Sequence, residues 1–554
     1  MTKPAAALPG SMQQTPLLIS SLVEHAARCH ARAEVISRFA DGRLHRTTYG
    51  DVARRSRQLA GALKAFGLAE GERVGSLAWN SHRHLELYYG VPSFGAVLNT
   101  VNPRLFPEQI RFIITQAANR IMFFDPHILP LVLELKAALP QVELWVALCG
   151  PEDRPVDCPA EILSYEDFIA PHPPEFDWPV LDENAASALC YTSGTTGDPK
   201  GVLYSHRSTV LQAFCATSVD SFCPTSWRDR LLLVVPMFHA NAWGIPYAAA
   251  MNGPALVLPG HRLEPAILND LMREERITAS GGVATVWLSY LQYLEAHPEQ
   301  PPADLKRIFV GGGPLPEALM TGLEDGFGIE TIAAWGMTES SPLVGVGNPQ
   351  AHHPTGSLAA TREIRRRAGR AVYGVEVDIC DDEGRSLPQD GTSIGAVRIR
   401  GPWIVSGYYG LEGDFVNEEG WFRTGDLGRI DADGYLTLTD RVKDVIKSGG
   451  EWISSIDVEN EVLKCPGVQA AALIAVPHPR WLERPLLLVT AKPGEALTPD
   501  QVRIHLAPRI ATWWMPDEIL VLPDLPVSGT GKIQKAELRA AYADYQLPER
   551  AARA

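Results

Sequence analysis

Between Tyr191 and Val202, four hydroxyl side chains (Thr192, Ser193, Thr195 and Thr196) are interleaved with glycines and followed by Lys200. Glycine lets backbone N–H groups approach an anion closely, hydroxyls donate to phosphate oxygens, and lysine adds a mobile positive charge. That is the chemistry of a polyphosphate cradle. It is not a Walker loop, because Gly194 and Gly197 stand too close together and Gly201 follows the lysine where Ser or Thr is required. On its residues alone the stretch reads equally as a flexible surface loop; the apolar Ala188–Cys190 before it and Lys200 after it favour the cradle. A second candidate is Trp335–Pro342, where Glu339 offers a hard oxygen ligand suited to Mg²⁺ and Thr338 a donor to phosphate. By itself, a lone loop glutamate is ordinarily solvated. Gly311-Gly312-Gly313-Pro314 follows an apolar run, at the kind of strand end where open parallel sheets bind ligands.

Two further patterns fail on context. Gly391-Thr-Ser-Ile-Gly395 matches a hydrolase nucleophile motif, but a polar turn precedes it and a strand-like run follows, the reverse of the required order. His352-His353 suggests a metal, but no third ligand has convincing spacing.

Elements must position these groups. Apolar spacing predicts helix over residues 20–70, through Leu22, Val23 and Ala26 and again through Leu59, Leu63 and Phe66. Short apolar runs at Arg73–Ala78, Arg120–Phe124, Glu143–Leu148, Leu231–Val235, Ala255–Leu258 and Arg307–Val310 alternate with helical patterns. This predicts an α/β fold with largely parallel sheets. After Tyr373 the texture becomes short strands and tight turns, the mark of a small β-rich subdomain, and the last hundred or so residues again mix strands and helices.

The chain has 554 residues and a formal net charge of −15. That length suits three or four folding units of roughly 150 residues, and the acidity argues against a nucleic-acid footprint or attraction to anionic membranes. Eight cysteines, none in a Cys-x-x-Cys pair, point to free thiols in a reducing cytoplasm. Residues 1–14 show no signal-peptide pattern. Met237–Gly260 is uncharged and long enough to span a bilayer, but His239, two asparagines and breaks at Gly244, Pro246, Gly253, Pro254 and Pro259 predict a buried strand, loop and helix.

Taken together, the motifs resemble the acyl-adenylate-forming superfamily, which includes acyl-CoA synthetases, luciferases and peptide-synthetase adenylation domains. Tyr191–Val202 resembles its phosphate signature and Trp335–Pro342 its aromatic-Gly-x-Thr-Glu motif. Trp421–Gly428 resembles its Gly-Asp motif, Gly434–Gly450 its hinge segment, and Ser528-Gly-Thr-Gly-Lys532 its terminal lysine motif, all in the expected order. The resemblance implies an N-terminal domain over 1–439, a hinge over 440–444 at Lys443, and a mobile C-terminal domain over 445–554. It implies that Thr192, Ser193, Thr195, Thr196 and Lys200 cradle ATP phosphates, with Gly312, Gly313, Ala334, Trp335 and Gly336 along adenine. Thr338 would touch phosphate, Glu339 hold Mg²⁺, Asp426 accept from ribose, Arg441 reach the nucleotide and Lys532 bridge the reacting oxygens. After acyl-AMP forms, domain rotation would bring Ser448, Gly449 and Gly450 toward the pantetheine of coenzyme A.

Val235–Gly244 resembles the medium- and long-chain fatty acyl-CoA synthetase branch, which includes relatives acting on methylthiopropionate. It implies a pocket of His239, Trp243 and Trp287 beside Gly312 and Ala334, with Trp243 gating an apolar tunnel. One departure stands out: Leu482 occupies a position where the family commonly has glycine. The expected partners are a small carboxylic acid, ATP and CoA, with no nucleic acid and no membrane span; the resemblance also allows a homodimer. A carrier-protein-loading enzyme, a short-chain or aryl-alkanoate CoA ligase, and a catalytically silent acyl-binding protein are the alternatives. Retention of Lys200, Glu339 and Lys532 argues against the last.

Overall fold

Short runs that are apolar on both faces belong inside a sheet, and in the computed structural model they form the inner strands of parallel sheets. The structure describes residues 10–192, 199–218, 221, 226–353, 357–448, 451–528 and 533–547. At the centre of a seven-stranded sheet, β1 (Arg73–Leu77) lies parallel to the strand Asn119–Phe124 on one side and to β2 (Val97–Thr100) on the other. The buried helix α1 (His82–Phe94) connects β1 to β2. β2 pairs parallel with β3 (Ala186–Tyr191), which folds back antiparallel on β4 (Gly201–Ser205) and leads into α2 (His206–Ala216).

The other large sheet has thirteen strands among the described residues. In its parallel half, β5 (Arg230–Leu233) neighbours β6 (Ala279–Gly282), then β7 (Arg307–Val310) and β8 (Glu330–Gly336). Helix α3 (Ile245–Asn252) lies between β5 and β6 in sequence, and α4 (Glu317–Phe327) between β7 and β8. Beyond β8 the sheet turns antiparallel and reaches β9 (Phe422–Ile430) and β10 (Tyr435–Arg441). The β-rich part expected after Tyr373 therefore continues the second parallel sheet in one ladder.

Several expected strands coincide with observed ones: Ala255–Leu258 and Arg307–Val310 match at both ends, and the run from Arg73 ends one residue early, at Leu77. Residues 20–70 are not helical throughout. A hairpin, Glu34–Arg38 with Leu44–Thr48, separates the helices Ile19–Cys29 and Tyr49–Phe66. Met237–Gly260 folds as a turn, α3 and a buried strand. Among the described residues no helix is long and apolar enough to cross a membrane, and the seven described cysteines are free thiols.

The two large sheets are clamped where their parallel strands end. Asn80, just past β1, donates Nδ2 to the carbonyls of Leu233 (2.6 Å) and Val235 (2.9 Å), while its Oδ1 accepts the Met237 N–H at 2.8 Å. From α1, the Tyr88 hydroxyl donates to the Met237 carbonyl and the Tyr89 hydroxyl to Pro246 O at 2.7 Å. Buried polar groups are tolerated when satisfied, and these tie the segment after β5 to the first sheet.

A third sheet carries β11 (Ile446–Ser448), Glu451–Ile453, Val468–His478, β12 (Leu482–Ala491) and Glu518–Leu522. Helix α5 (Ser455–Val462) packs on it, and its first residue donates N–H to the Asp440 carboxylate at 2.6 Å. Lys464 reaches Glu317 of α4 at 2.8 Å across a charged cleft of about 420 Å³. Arg484, 4% exposed, binds Asp517 with both Nε (2.8 Å) and Nη2 (3.0 Å) and donates to Ser448 Oγ at 3.1 Å. Removing one partner of a buried pair leaves an uncompensated charge, at a cost of about 3–5 kcal/mol. Asp517→Ala is expected to destabilise this sheet by that amount while leaving the two large sheets unchanged. Hydrogen exchange should rise across residues 446–522 and nowhere else; uniform exchange would contradict it.

Candidate active site

The phosphate-type segment is the turn of the β3–β4 hairpin. Thr192 N–H donates to Lys200 O at 2.9 Å, and Lys200 N–H to Thr192 Oγ1 at 3.3 Å, closing the base of the loop. Ser193, Thr195 and Thr196 lie outside the described residues. The Lys200 ammonium stands 5.0 Å from the centre of the Tyr408 ring, and the Tyr408 hydroxyl donates to Glu339 Oε1 at 2.8 Å. Lys200 and Glu339, far apart in sequence, thus converge on one tyrosine. Burial, and then the Glu339 carboxylate beside it, push the Tyr408 phenol above the usual tyrosine range, so it remains a donor.

Thr338 and Glu339 form a 3₁₀ turn just past β8 and are 8% and 9% exposed. The turn is held by Tyr204 of β4, whose hydroxyl donates to Thr338 O at 2.7 Å, and by Val405 N–H, which donates to Glu339 O at 2.8 Å. Gly336 is obligatory: a Cβ there would lie 1.6 Å from the Pro342 carbonyl oxygen. With one carboxylate oxygen held by Tyr408, Glu339 presents a fixed, hard oxygen donor near the Lys200 ammonium, a donor that fits Mg²⁺.

Asp426 on β9 and Arg441 on β10 are cross-strand partners, 3.3 Å apart as an ion pair. Trp335 packs beside the cluster of Ile379, Val397, Ile430 and Leu436 that lies under these two strands. Ala334 neighbours the strand-end glycines: a Cβ on Gly311 would meet Ala334 O at 3.1 Å. Gly312 takes φ of +77°, and nothing lies within 4 Å of the space a Gly313 Cβ would fill.

The segment expected to line the acid pocket has a conformation its residues do not advertise. Ala240, Asn241, Ala242 and Trp243 have φ of 41°, 51°, 49° and 60°, and Gly244 follows at 76°. A left-handed conformation costs an ordinary L-residue roughly 1–2 kcal/mol, and such strain persists only where the surroundings over-determine it. Here Gln212 of α2 donates to Trp243 O at 3.4 Å, and the Asn80 and Tyr88 bonds hold Met237. The turn lays the Trp243 indole across the ends of β6 and β7: a Cβ on Gly311 would meet Cη2 at 2.9 Å, and one on Gly281 would meet Cζ3 at 3.7 Å. His239 opens the turn, its carbonyl accepting the Ala242 N–H at 2.9 Å.

Trp287 does not join Trp243. A Cβ on Gly282 would meet Trp287 Nε1 at 3.0 Å, whereas the adjacent Gly281 faces Trp243. Successive strand residues point to opposite faces, so the two indoles flank opposite faces of β6. Trp287 is fully buried in a cluster with Leu291, Val310 and Leu323.

Lys532, Gly449 and Gly450 lie outside the described residues. Ser448 is fully buried under Arg484 and pairs with Leu482. Leu482, 70% exposed, takes φ of 71°; the backbone keeps the left-handed form that glycine prefers at the end of a hairpin loop. Lys443 is exposed in the turn between β10 and β11. The pair His352-His353 does find a third group, Asp433, with ligand atoms within 4.8 Å of one another. However, His353 Nδ1 accepts the Gln350 N–H at 3.0 Å, so Nε2 carries the proton and faces Asp433 as a donor, the reverse of a metal ligand. Ser393 sits in an exposed turn and donates to Asp390 at 2.9 Å. Tyr408, Tyr204, Asn80 and Gln212 were not singled out in the sequence, and no local motif marks them.

A Gly/Ser/Thr-rich hairpin with its lysine one tyrosine away from a buried carboxylate, and a buried indole laid across neighbouring strand ends, are compatible with activation of a carboxylic acid by a nucleotide. The fold and site define an adenylate-forming ligase. The sequence profile of the AMP-binding enzyme family matches residues 23–409, and that of the AMP-binding enzyme C-terminal domain matches residues 457–532. The chain is 45% identical over 538 residues to 3-methylmercaptopropionyl-CoA ligase of Ruegeria pomeroyi, covering 97% of this chain and 99% of that one. It is 43% identical to medium-chain-fatty-acid–CoA ligase of Ectopseudomonas oleovorans, covering 97% and 98%. The crystal structure of ATP-bound MatB from Rhodopseudomonas palustris superposes with a TM-score of 0.82 at 25% identity, over 96% of this chain and 99% of that one. The chain belongs to the AMP-binding enzyme family, and it is an AMP-forming acyl-CoA ligase whose substrates include ATP and CoA.

Two outcomes follow from the geometry. Trp287→Ala should cost about 3–5 kcal/mol as a core cavity and leave the order of preference among acids unchanged; a changed order in a panel of acids would place Trp287 at the pocket after all. Leu482→Gly should stabilise the third sheet by about 1 kcal/mol by relieving its backbone, read as a raised unfolding midpoint; a lowered midpoint would mean that the exposed side chain packs usefully.

Proposed function

We propose that this ligase activates an apolar, medium-length carboxylic acid whose tail ends against Trp243. The carrying observation is a contact: the indole held by the left-handed turn lies directly against Gly281 and Gly311 at the ends of β6 and β7, where a small side chain is all that the strand ends allow. Trp243 and His239 are the pocket residues in this reading, and no charged side chain was found among the residues assigned to the slot, which disfavours amino acids.

In the first step a carboxylate oxygen attacks the α-phosphorus of ATP. The bond from that phosphorus to the pyrophosphate oxygen breaks, leaving acyl-AMP. Two anions must meet, so charge compensation dominates the barrier. Lys200 and the hydroxyls of Thr192, Ser193, Thr195 and Thr196 would hold the β- and γ-phosphates, with Thr338 at the α-phosphate. Glu339 would hold Mg²⁺, which when bound neutralises phosphate charge and stabilises the leaving pyrophosphate. Asp426 would accept from the ribose hydroxyls beside Arg441, adenine would lie along Gly312, Gly313, Ala334, Trp335 and Gly336, and Lys532 would bridge carboxylate, phosphate and ribose oxygens. In the second step the CoA thiolate attacks the acyl carbon, the carbon–oxygen bond breaks, and AMP leaves. Ser448, Gly449 and Gly450 would line the thiol's approach, after rotation of residues 445–554 about Lys443 within the 440–444 segment. The enzyme acts on soluble small molecules in the cytoplasm, as a homodimer or alone.

The likeness to a 3-methylmercaptopropionyl-CoA ligase supports a second reading, a short thioether acid of similar polarity. A panel of acids from three to sixteen carbons, with methylthiopropionate included, separates the two by acid-dependent pyrophosphate release. Trp243→Ala should move the optimum to longer chains. Each newly accommodated methylene is worth about 0.8 kcal/mol, roughly fourfold in kcat/KM. Equal loss at every length would make Trp243 a packing residue.

A further inference from the structure

The left-handed turn contains one residue whose side chain leaves its own sheet. Asn241, 2% exposed, accepts a hydrogen bond at Oδ1 from the Cys190 thiol at 3.2 Å. Cys190 is the penultimate residue of β3, two before Thr192 at the base of the phosphate loop. The turn hangs from β5 in the thirteen-stranded sheet and the loop from β3 in the seven-stranded one, so this contact joins the acid slot to the phosphate cradle directly. Thr100 Oγ1, 3.6 Å from the thiol, and Tyr204, which also holds Thr338, border the same point. Burial pushes the thiol up to about 11, which keeps it a donor.

Packing alone does not account for an asparagine here. Its Nδ2 is buried without a partner among the described residues, and a half-satisfied amide in a dry interior is costlier than an apolar side chain of the same shape. What asparagine offers is tolerance of the left-handed backbone together with an acceptor that reaches across the sheets.

We propose that Asn241 is a positioning residue for adenylation: through Cys190 it fixes the separation and angle between the acid-bearing turn and the phosphate hairpin. The carboxylate oxygen then arrives in line with the α-phosphorus. The proposal rests on the placement of the acid beside Trp243. That placement stands or falls separately by the chain-length response of Trp243→Ala, whatever Asn241 does.

The design of the variants separates side chain from backbone. Asn241→Gly keeps the left-handed conformation and deletes the acceptor; Cys190→Ala deletes the donor, and Cys190→Ser restores one. Each is assayed with octanoate and ATP for pyrophosphate release, and separately for transfer from supplied octanoyl-AMP to CoA. Misplacing reactants by about 1 Å costs on the order of 10- to 100-fold in rate. Asn241→Gly and Cys190→Ala should therefore lose that much adenylation kcat, with both KM values within about threefold of the parent. Transfer from octanoyl-AMP, which no longer requires the alignment, should be spared, and Cys190→Ser should recover most of the adenylation rate. Loss of both half-reactions together, loss of neither, or a change confined to the KM for octanoate would overturn the proposal. If one variant fails to fold, the other still decides between these outcomes.

Discussion

The two segments proposed to hold the carboxylate and the polyphosphate of ATP hang from different sheets, and the reaction requires two anions to meet between them. The constraint on the rest of the structure is therefore the joint where the parallel strands of both sheets end. Asn80 makes that joint, with one side chain satisfying three backbone groups at and just after the end of β5 from a position just past β1. Its hydrogen bonds are buried, where they are electrostatically strong and costly to leave unmade. The aromatic hydroxyls of α1 repeat the tie from the next turn of chain.

The joint makes a strained turn affordable. Three of the five left-handed residues, Ala240, Ala242 and Trp243, are types that gain nothing from that conformation. In this conformation the Trp243 indole lies against the glycines at the ends of β6 and β7. Gly244 completes the turn because a Cβ there would lie 2.1 Å from Gln212 Oε1, the side chain that caps the turn. The Thr338–Glu339 turn depends on a glycine in a similar way, with Gly336 allowing it to pass the Pro342 carbonyl. The backbone cost of the Trp243 turn is offset by tertiary contacts from Asn80, Tyr88 and Gln212.

Much of the parallel-sheet framework around these turns was legible in the sequence. Ala255–Leu258 and Arg307–Val310 are short runs buried on both faces, and their ends are written in the glycines and polar residues that follow. The Gly/Ser/Thr-rich hairpin and the Glu339 turn stand out as residue types before any geometry. The hairpin within residues 34–48 was missed because helical spacing on either side of it extends naturally across a gap of that length. The continuity of the β-rich part with the second sheet was hidden because pairing of residues 343–346 with β8 is a tertiary fact. Trp287 and Trp243 carry the same side chain and both are buried; only the alternation of Gly281 and Gly282 on β6 puts them on its opposite faces. Tyr408 and Asn80 act at sequence distances of 69 and about 155 residues, beyond any local pattern.

The central claim is that a carboxylate oxygen meets the α-phosphorus of ATP at this joint and leaves later with AMP. Octanoate labelled with ¹⁸O in both carboxylate oxygens tests it in a single turnover with ATP and CoA, followed by mass spectrometry of the nucleotide and the thioester. One ¹⁸O should appear in AMP and one should remain in the thioester carbonyl. Label found in inorganic phosphate, with ADP as the nucleotide product, or AMP free of label, would contradict the account.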